Sequence, residues 1–214
     1  MTAIEPVVFI VDDDPGVLES SRALTESMGL QSECFSSAVE FLDSYDASKP
    51  GCLILDIQLP EMTGMTLLAR LREVGHSIPV VMISGHGDIP QAVTALKSGA
   101  VDFLVKPYPA AKLRECILDA IEKDRKQRAE NAERGELENR ISSLTQQEKL
   151  VLQALIAGDI TKKIASDLDV SLRTVQFRRE SIMKKLNVSN RAELVRVASK
   201  MLGSTGTAES AESA

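Results

Sequence analysis

Short apolar runs alternate with helix-patterned stretches five times in the first half of the chain, and this alternation constrains the fold more than any other feature. Between the runs, apolar residues recur three and four positions apart, as in amphipathic helices. Regular alternation of strand and helix predicts an α/β fold, a doubly wound five-stranded parallel sheet of the flavodoxin-like kind. Near-continuous apolar strands indicate a sheet covered on both faces. The five runs are 7–11, 31–35, 52–56, 79–84 and 101–106.

Polar side chains follow or end four of these strands. Asp12 and Asp13 follow the first, Asp56 ends the third, Ser84 ends the fourth and Lys106 ends the fifth. Because reactive groups of such sheets gather beyond the carboxyl ends of the strands, we expect these side chains to meet. Clustered carboxylates repel one another, so they are stable together only if a cation sits among them or their pKa values rise. Mg²⁺ is the natural oxygen-preferring ion for such a site.

This set of groups predicts phosphoryl chemistry. Asp56 can attack a phosphoryl donor, while Lys106 pairs with a phosphoryl oxygen and Ser84 donates a hydrogen bond to it. The expected product is an aspartyl phosphate. Asp14, directly before Pro15, is interpreted instead as the N-cap of the first helix.

Charge divides the chain into two parts. Residues 1–124 carry 9 Lys and Arg against 19 Asp and Glu, whereas residues 141–202 carry 11 against 6. An acidic front and a basic rear indicate two modules, with the rear one a candidate for nucleic acid, although a solvated basic surface is the alternative. Residues 125–143 form a charged helical linker in this interpretation, weakened by Gly135. The small polar residues 203–214 are predicted to be a disordered tail.

The rear module is helical throughout by periodicity. Helices are predicted near 145–157, 161–168, 171–186 and 190–201. The helix at 171–186 has one apolar face that must pack inward, so its other side can enter a major groove. The candidate contacts on that side are Gln176, Phe177 and Glu180 for base edges, Thr174, Lys184 and Lys185 for phosphates, and Arg173 beside them.

The motifs VDDDP, LDIQLPEMTG, ISGHGDIPQAVTALKSGAVDF and VKPY resemble the receiver domain of two-component response regulators, over residues 6–124. The resemblance implies that Asp56 accepts a phosphoryl group from a sensor histidine kinase. It also implies that Asp12, Asp13 and Asp56 bind Mg²⁺ together with the backbone carbonyl of Gln58.

A switch is implied by the same resemblance. Ser84 and Lys106 read the phosphoryl group, Phe103 turns inward, and the bond between Lys106 and Pro107 is commonly cis in this family. The surface of the fourth helix and fifth strand then pairs two phosphorylated receivers. On this chain that dimer face offers Val93, Lys97 and Asp102.

Residues 144–200 resemble the LuxR-type helix-turn-helix domain, from Leu144 and Thr145 to the NRAEL segment, with Arg178 where the family commonly has His. Together the two halves resemble a response regulator of the FixJ/NarL type. We therefore expect a receiver at 1–124 and a DNA-binding domain at 144–202. Such a protein is a transcription factor that dimerises when phosphorylated, binds double-stranded promoter DNA and contacts RNA polymerase.

Two other function classes stay open. A phosphatase of the haloacid dehalogenase type would use the Asp after the first strand as its nucleophile, and an interaction-only module would bind no DNA. Asp56 with Lys106, and the basic module, favour the regulator, which is not an enzyme beyond phosphotransfer to itself and autodephosphorylation. No apolar run approaches the ~20 residues of a membrane helix, so a cytoplasmic protein with no membrane partner is expected. Its cysteines, Cys34, Cys52 and Cys116, are interpreted as free thiols.

Overall fold

The structure, a computed structural model, describes residues 5–85 and 89–197. The chain consists of two compact units, and the boundary in the sequence lies between Ala129 and Glu130. The tail expected at 203–214 lies outside the described residues, as does the end of the last predicted helix. Each unit is described by itself below.

The first unit is a five-stranded parallel sheet with the strand order β2-β1-β3-β4-β5, flanked by helices. This architecture confirms the predicted doubly wound fold. Its elements are β1 (Val7–Val11), α1 (Pro15–Ser27), β2 (Gln31–Phe35), α2 (Ala38–Ser44), β3 (Gly51–Asp56), α3 (Gly64–Glu73), β4 (Val80–Ser84), α4 (Ile89–Lys97), β5 (Asp102–Val105) and the beginning of α5 (Ala110–Ser142).

Both faces of the sheet are covered, as the continuous apolar strands predict. Every residue of β1, β3 and β4 is buried. One face packs against α2, α3 and α4, with Phe41 and Leu67 fully enclosed. The other face packs against α1 and α5, where Leu113 and Ile117 lie in the core.

Strand register brings the functional strand ends to one edge. Val11 pairs with Leu55, and Asp56 pairs with Ile83, so the residues that end β3 and β4 lie next to those that follow β1. After β1 the chain enters α1, where the Asp14 side chain accepts a hydrogen bond of 2.8 Å from the Gly16 backbone N–H. Asp14 is therefore the N-cap of α1, as interpreted from the sequence.

Helix α5 is continuous over 33 residues and passes through Gly135. The sequence predicts a weaker helix there, because glycine costs about 1 kcal/mol relative to alanine. Ion pairs between residues three or four positions apart support the helix on both sides of this glycine. These pairs are Arg125–Glu122, Arg134–Glu138 and Arg140–Glu136.

The second unit consists of helices around its own apolar core. They are α6 (Gln146–Ile156), α7 (Thr161–Asp167), α8 (Leu172–Leu186) and the helical residues 191–197. The predicted inward face of α8, Val175, Ile182 and Leu186, is buried in this core. Helix α8 ends at Asn187, which adopts the left-handed conformation with φ 54° that suits a C-cap.

Candidate functional site

A lysine bridges two buried carboxylates at the carboxyl edge of the sheet. The Lys106 ammonium lies 2.7 Å from Asp12 Oδ2 and 2.8 Å from Asp56 Oδ1. Asp12 is 2% exposed and Asp56 is 4% exposed. The structure therefore brings together three of the side chains that the strand ends predict.

Backbone donors fix the two carboxylates further. Asp56 Oδ2 accepts a hydrogen bond of 2.5 Å from the Gln58 N–H, and Asp12 Oδ1 accepts one of 3.0 Å from the Asp14 N–H. Each carboxylate thus has one oxygen on the lysine and the other on the main chain. This arrangement fixes the orientation of the Asp56 carboxylate.

Burial and charge oppose each other at this site. Burial raises the pKa of Asp12, and the neighbouring Asp56 adds to the rise, while the hydrogen bond and charge of Lys106 counteract it. Burial alone would lower the pKa of Lys106, but Asp12 and Asp56 outweigh that effect and raise the pKa. The lysine is therefore held in its charged form.

The same residues supply donors for a hard cation. Asp13 follows Asp12 in the chain and is exposed, and the main chain at Gln58 lies beside Asp56. Within 5–85 and 89–197, no three His, Cys, Asp or Glu side chains form a complete metal cluster. Carboxylate and carbonyl oxygens nevertheless fit Mg²⁺, which keeps several waters and needs few protein ligands. The two buried carboxylates, Asp12 and Asp56, against the one ammonium of Lys106 also leave negative charge for a cation to balance.

Ser84 ends β4 and is 1% exposed. Its hydroxyl donates a hydrogen bond of 3.1 Å to Oε1 of Gln91, which lies in the first turns of α4 and is half-buried. The sequence analysis missed Gln91, because a glutamine near the start of an amphipathic helix carries no pattern that signals a contact with the preceding strand.

Phe103, the expected switch residue, is half-buried and packs against the core on the face of α2, α3 and α4. The bond between Lys106 and Pro107 is cis, as the resemblance implies. Among the residues expected at the dimer face, Val93 and Lys97 are exposed on α4. Three further apolar side chains are exposed on α4 and β5, and the sequence analysis did not name them: Ile89, Leu96 and Val105.

Asp102 differs from its expected role as a cross-subunit charge. Its Oδ1 accepts a hydrogen bond of 2.8 Å from the Phe103 N–H, and its Oδ2 lies 3.0 Å from Cys116 Sγ. Burial, followed by Asp102, raises the pKa of that thiol to about 12. The carboxylate is thus engaged within its own fold, which argues against Asp102 as a contact between subunits.

One side of α8 is exposed along its length. Phe177 is 71% exposed, which is unusual for a large apolar side chain. Spacings of three and four residues place it on one helical face with four of the other candidates. The exposed face consists of Arg173, Gln176, Phe177, Glu180 and Lys184.

Lys185 points elsewhere, and the structure argues against its expected contact with a DNA phosphate. Its ammonium lies 2.7 Å from Oε2 of the buried Glu148, whose Oε1 accepts a hydrogen bond of 2.7 Å from Ser181. One residue of helix turns a side chain by about 100°, so Lys185 faces α6 together with Ser181 rather than following Lys184. Glu148 also closes the capping box with Thr145 that the sequence predicts.

Two further positions in α8 have distinct environments. Thr174 is half-buried, and its hydroxyl lies 2.8 Å from Ser171 Oγ at the start of the helix. Arg178 has a buried Nη1 without a hydrogen-bond partner in the part of the chain that the structure describes. This is the position where the sequence analysis noted that the family commonly has His.

Family models match both units. The model for response regulator receiver domains matches residues 8–118, and the model for the luxR family of bacterial regulatory proteins matches residues 142–198. The chain belongs to the LuxR-type response regulators. This membership confirms the resemblance stated from the motifs and decides against a phosphatase of the haloacid dehalogenase type.

Relatives of this response regulator match over most of their length. The response regulator protein TodT of Pseudomonas putida is 44% identical over 195 residues, covering 91% of this chain and 86% of TodT. The transcriptional regulatory protein FixJ of Azorhizobium caulinodans is 38% identical over 191 residues, covering 89% and 90%. A solved structure of the response regulator StyR has a TM-score of 0.84 at 40% identity, covering 92% of this chain and 99% of that one.

Family membership has direct consequences. The receiver domain implies a sensor kinase as partner, the LuxR-type domain implies DNA binding, and receiver domains generally bind Mg²⁺ at their phosphorylation site. In the described ranges, no helix is both long and apolar enough to cross a membrane.

Proposed function

We propose that this response regulator is a transcription factor controlled by phosphorylation of Asp56. The observation that carries the proposal is the buried Asp56 carboxylate, bridged by Lys106 to Asp12 at the carboxyl edge of the receiver sheet. Such a carboxylate has a charged partner ready to compensate a phosphoryl group. The proposal predicts that no other carboxylate of the chain takes the phosphoryl group.

Phosphotransfer forms one bond and breaks one. An Asp56 carboxylate oxygen attacks phosphorus of the kinase phosphohistidine, the P–N bond breaks, and its electron pair returns to the imidazole nitrogen, which takes up a proton. Lys106 then shifts from bridging two carboxylates to pairing with a phosphoryl oxygen. Bound Mg²⁺, held by Asp12, Asp13, Asp56 and the Gln58 carbonyl, would supply charge neutralisation for the phosphoryl oxygens.

The phosphoryl group then acts on two switch residues. A dianion beside Ser84 attracts its hydroxyl proton, and Phe103 turns inward behind the displaced loop. The exposed surface of α4 and β5, with Val93 and Lys97, then pairs two copies of the receiver. Dimerisation brings two LuxR-type domains to one promoter, where bound RNA polymerase is the expected further partner.

DNA reading is assigned to the exposed face of α8. Gln176 suits adenine, Phe177 a thymine methyl and Glu180 cytosine, whereas Arg173 and Lys184 suit phosphates. The 71% exposure of Phe177 supports this assignment, because an apolar side chain so exposed gains from contact with a base. Thr174, near the start of the helix, is a further candidate for a phosphate.

The test measures the incorporation of phosphate into the protein and its DNA binding in one preparation. Wild-type protein, Asp56→Asn and Asp43→Asn are treated with acetyl phosphate and Mg²⁺, and protein-bound phosphate is measured; Asp43 is an exposed aspartate of α2 and serves as the control. Wild type and Asp43→Asn should incorporate phosphate, and Asp56→Asn should not. Phosphorylation should also increase retention of duplexes selected from a random library in a gel shift.

Two outcomes would contradict the proposal. Full, stable phosphate incorporation by Asp56→Asn would move the phosphoacceptor to another residue. Phosphorylated wild-type protein that retains no duplex from the library would favour the interaction-only module instead.

A further inference from the structure

Helix α4 is tied to the rest of the receiver at both ends. Near its start, Gln91 accepts the hydrogen bond of 3.1 Å from the Ser84 hydroxyl. Beyond its end, the Gly99 carbonyl accepts one of 3.1 Å from Arg72 Nη2, and Arg72 also donates to the carbonyls of His76 and Ile78. Gly99 has a φ of 95°, which favours glycine and lets the arginine approach closely.

Packing alone holds α4 weakly. Among its nine residues, Ala95 is the one that is buried. Ile89, Val93 and Leu96 are all exposed. A helix that buries so little apolar surface gains little from its core contacts, so polar ties at its ends have a large share in fixing its position.

The tie at Gln91 and the phosphoryl group require the same proton. A serine hydroxyl has a single O–H donor. If that proton binds a phosphoryl oxygen on Asp56, it cannot at the same time bind Gln91 Oε1. The two hydrogen bonds of Ser84 are therefore mutually exclusive.

We propose that Gln91 is a positioning residue that latches Ser84 in the unphosphorylated state and links the phosphoryl group to α4; this rests on the proposed phosphorylation of Asp56. Phosphorylation draws the Ser84 proton away and breaks this hydrogen bond to the start of α4. The tie between Arg72 and Gly99 stays, so the helix pivots about its carboxyl end. The exposed face with Val93 moves with it.

The latch stabilises the resting state, so its removal should favour the phosphoryl-bound state. Gln91→Leu keeps the size of the side chain and removes the acceptor. A neutral hydrogen bond contributes a net amount that corresponds to a factor of about 2 to 10 in an equilibrium. We therefore expect Gln91→Leu to bind beryllofluoride, a non-covalent phosphoryl mimic, about 2 to 10 times more tightly than wild-type protein in the presence of Mg²⁺.

A double-mutant cycle shows whether the effect passes through Ser84. In a Ser84→Ala background, Gln91→Leu should change beryllofluoride affinity less than it does in wild-type protein, because no hydroxyl is left to compete for. Gln91→Glu, a stronger acceptor, should weaken the affinity more in wild type than in Ser84→Ala. Thr94→Ala, an exposed change on the same helix, is the control and should behave as wild type.

A second measurement needs neither metal nor phosphoryl mimic. In the metal-free protein, backbone amides of α4 should exchange with solvent faster in Gln91→Leu than in wild type, while those of α3 should not change. The readout is independent of phosphotransfer.

The outcomes separate the latch from the function on which it rests. Wild-type protein that takes up neither phosphate on Asp56 nor beryllofluoride would overturn the proposed function. If wild type binds the mimic but Gln91→Leu binds it equally or more weakly, the latch is wrong. Equal gains in both Ser84 backgrounds, or unchanged exchange in α4, would also overturn it.

Discussion

Lys184 and Lys185 are adjacent lysines, and the sequence analysis assigns both of them to DNA phosphates. The structure gives them different surroundings. Lys184 is exposed on the proposed DNA face of α8, whereas the Lys185 ammonium is 2.7 Å from the buried Glu148 carboxylate. Replacing each in turn by methionine removes one charge and keeps a long unbranched side chain. The two variants should therefore differ in both stability and DNA binding.

The expected effect of Lys185→Met is a loss of stability. Glu148 would lose one charged donor and keep two, the Ser181 hydroxyl and the Thr145 N–H. Hydrogen bonds to charged groups contribute about 1.5 to 3 kcal/mol when buried, and exposed ion pairs less than about 1. With Glu148 8% exposed and Lys185 34% exposed, we expect a loss of about 1 to 2 kcal/mol.

For Lys184→Met the expected effect lies in DNA binding. A cation that contacts one phosphate releases one condensed counterion, so its loss should reduce the slope of log affinity against log salt by about 0.9. Specific and non-specific duplexes should be weakened alike, because every nucleotide has a phosphate. Stability should stay close to that of wild-type protein.

Two assays measure both quantities on the full chain. Thermal and urea unfolding report stability, and fluorescence anisotropy with a labelled duplex between 50 and about 300 mM salt reports the slope. A Glu148→Gln background adds a check, since Lys185→Met should cost less stability there. A reduced salt slope with unchanged stability for Lys185→Met would refute the assignment and return Lys185 to the DNA face.

Three further predictions follow from the described contacts. Hydrogen bonds from Lys185 and then Ser181 lower the pKa of Glu148 to about 2, against an ordinary 4.5. The stabilisation from the ionised Glu148 is therefore full above pH 4.5 and is lost as the pH falls toward 2. Glu148→Gln should remove this part of acid unfolding, as urea titrations at several pH values can show. Arg128→Gln should lower the free energy of unfolding of the receiver by about 1 to 3 kcal/mol in urea, whereas Arg125→Gln, which removes a surface ion pair, should change little. Phe177→Ala should weaken binding to a selected duplex by about 1 to 3 kcal/mol and leave random duplexes unaffected, and equal losses on both would contradict base reading.

Local pattern was enough to predict most of the fold. The apolar runs place the five strands to within a residue or so, and the polar residues at their ends predict the cluster of Asp12, Asp56 and Lys106. This works because parallel strands share one carboxyl edge, so a residue's place in its strand determines its place in the molecule. The amphipathic pattern of α8 predicts its buried face for a similar reason.

Polar contacts between different elements were not predictable in this way. Gln91, Asp102 and Lys185 each have a partner on another element, and their own helix or strand gives no sign of it. Lys184 and Lys185 have the same charge and are neighbours, so only the angle between them on the helix, relative to α6, separates their roles. Single-sequence periodicity gives faces of helices but not which polar groups meet across them.

A contact of the same kind lies just beyond the predicted end of the receiver. The apolar stripe of α5 fades after Asp124, which is why the sequence places the boundary there. Arg128 nevertheless binds Asp124 Oδ2 at 2.8 Å and donates hydrogen bonds to the carbonyls of residues 47–49, while Asp124 Oδ2 also accepts from the Gly51 N–H. Buried main-chain groups need partners, so the loop before β3 depends on an arginine beyond the expected boundary. The structural division after Ala129 keeps this arginine with the loop it contacts, whereas a receiver ending at 124 would keep the Asp124 carboxylate and lose the cation that balances it.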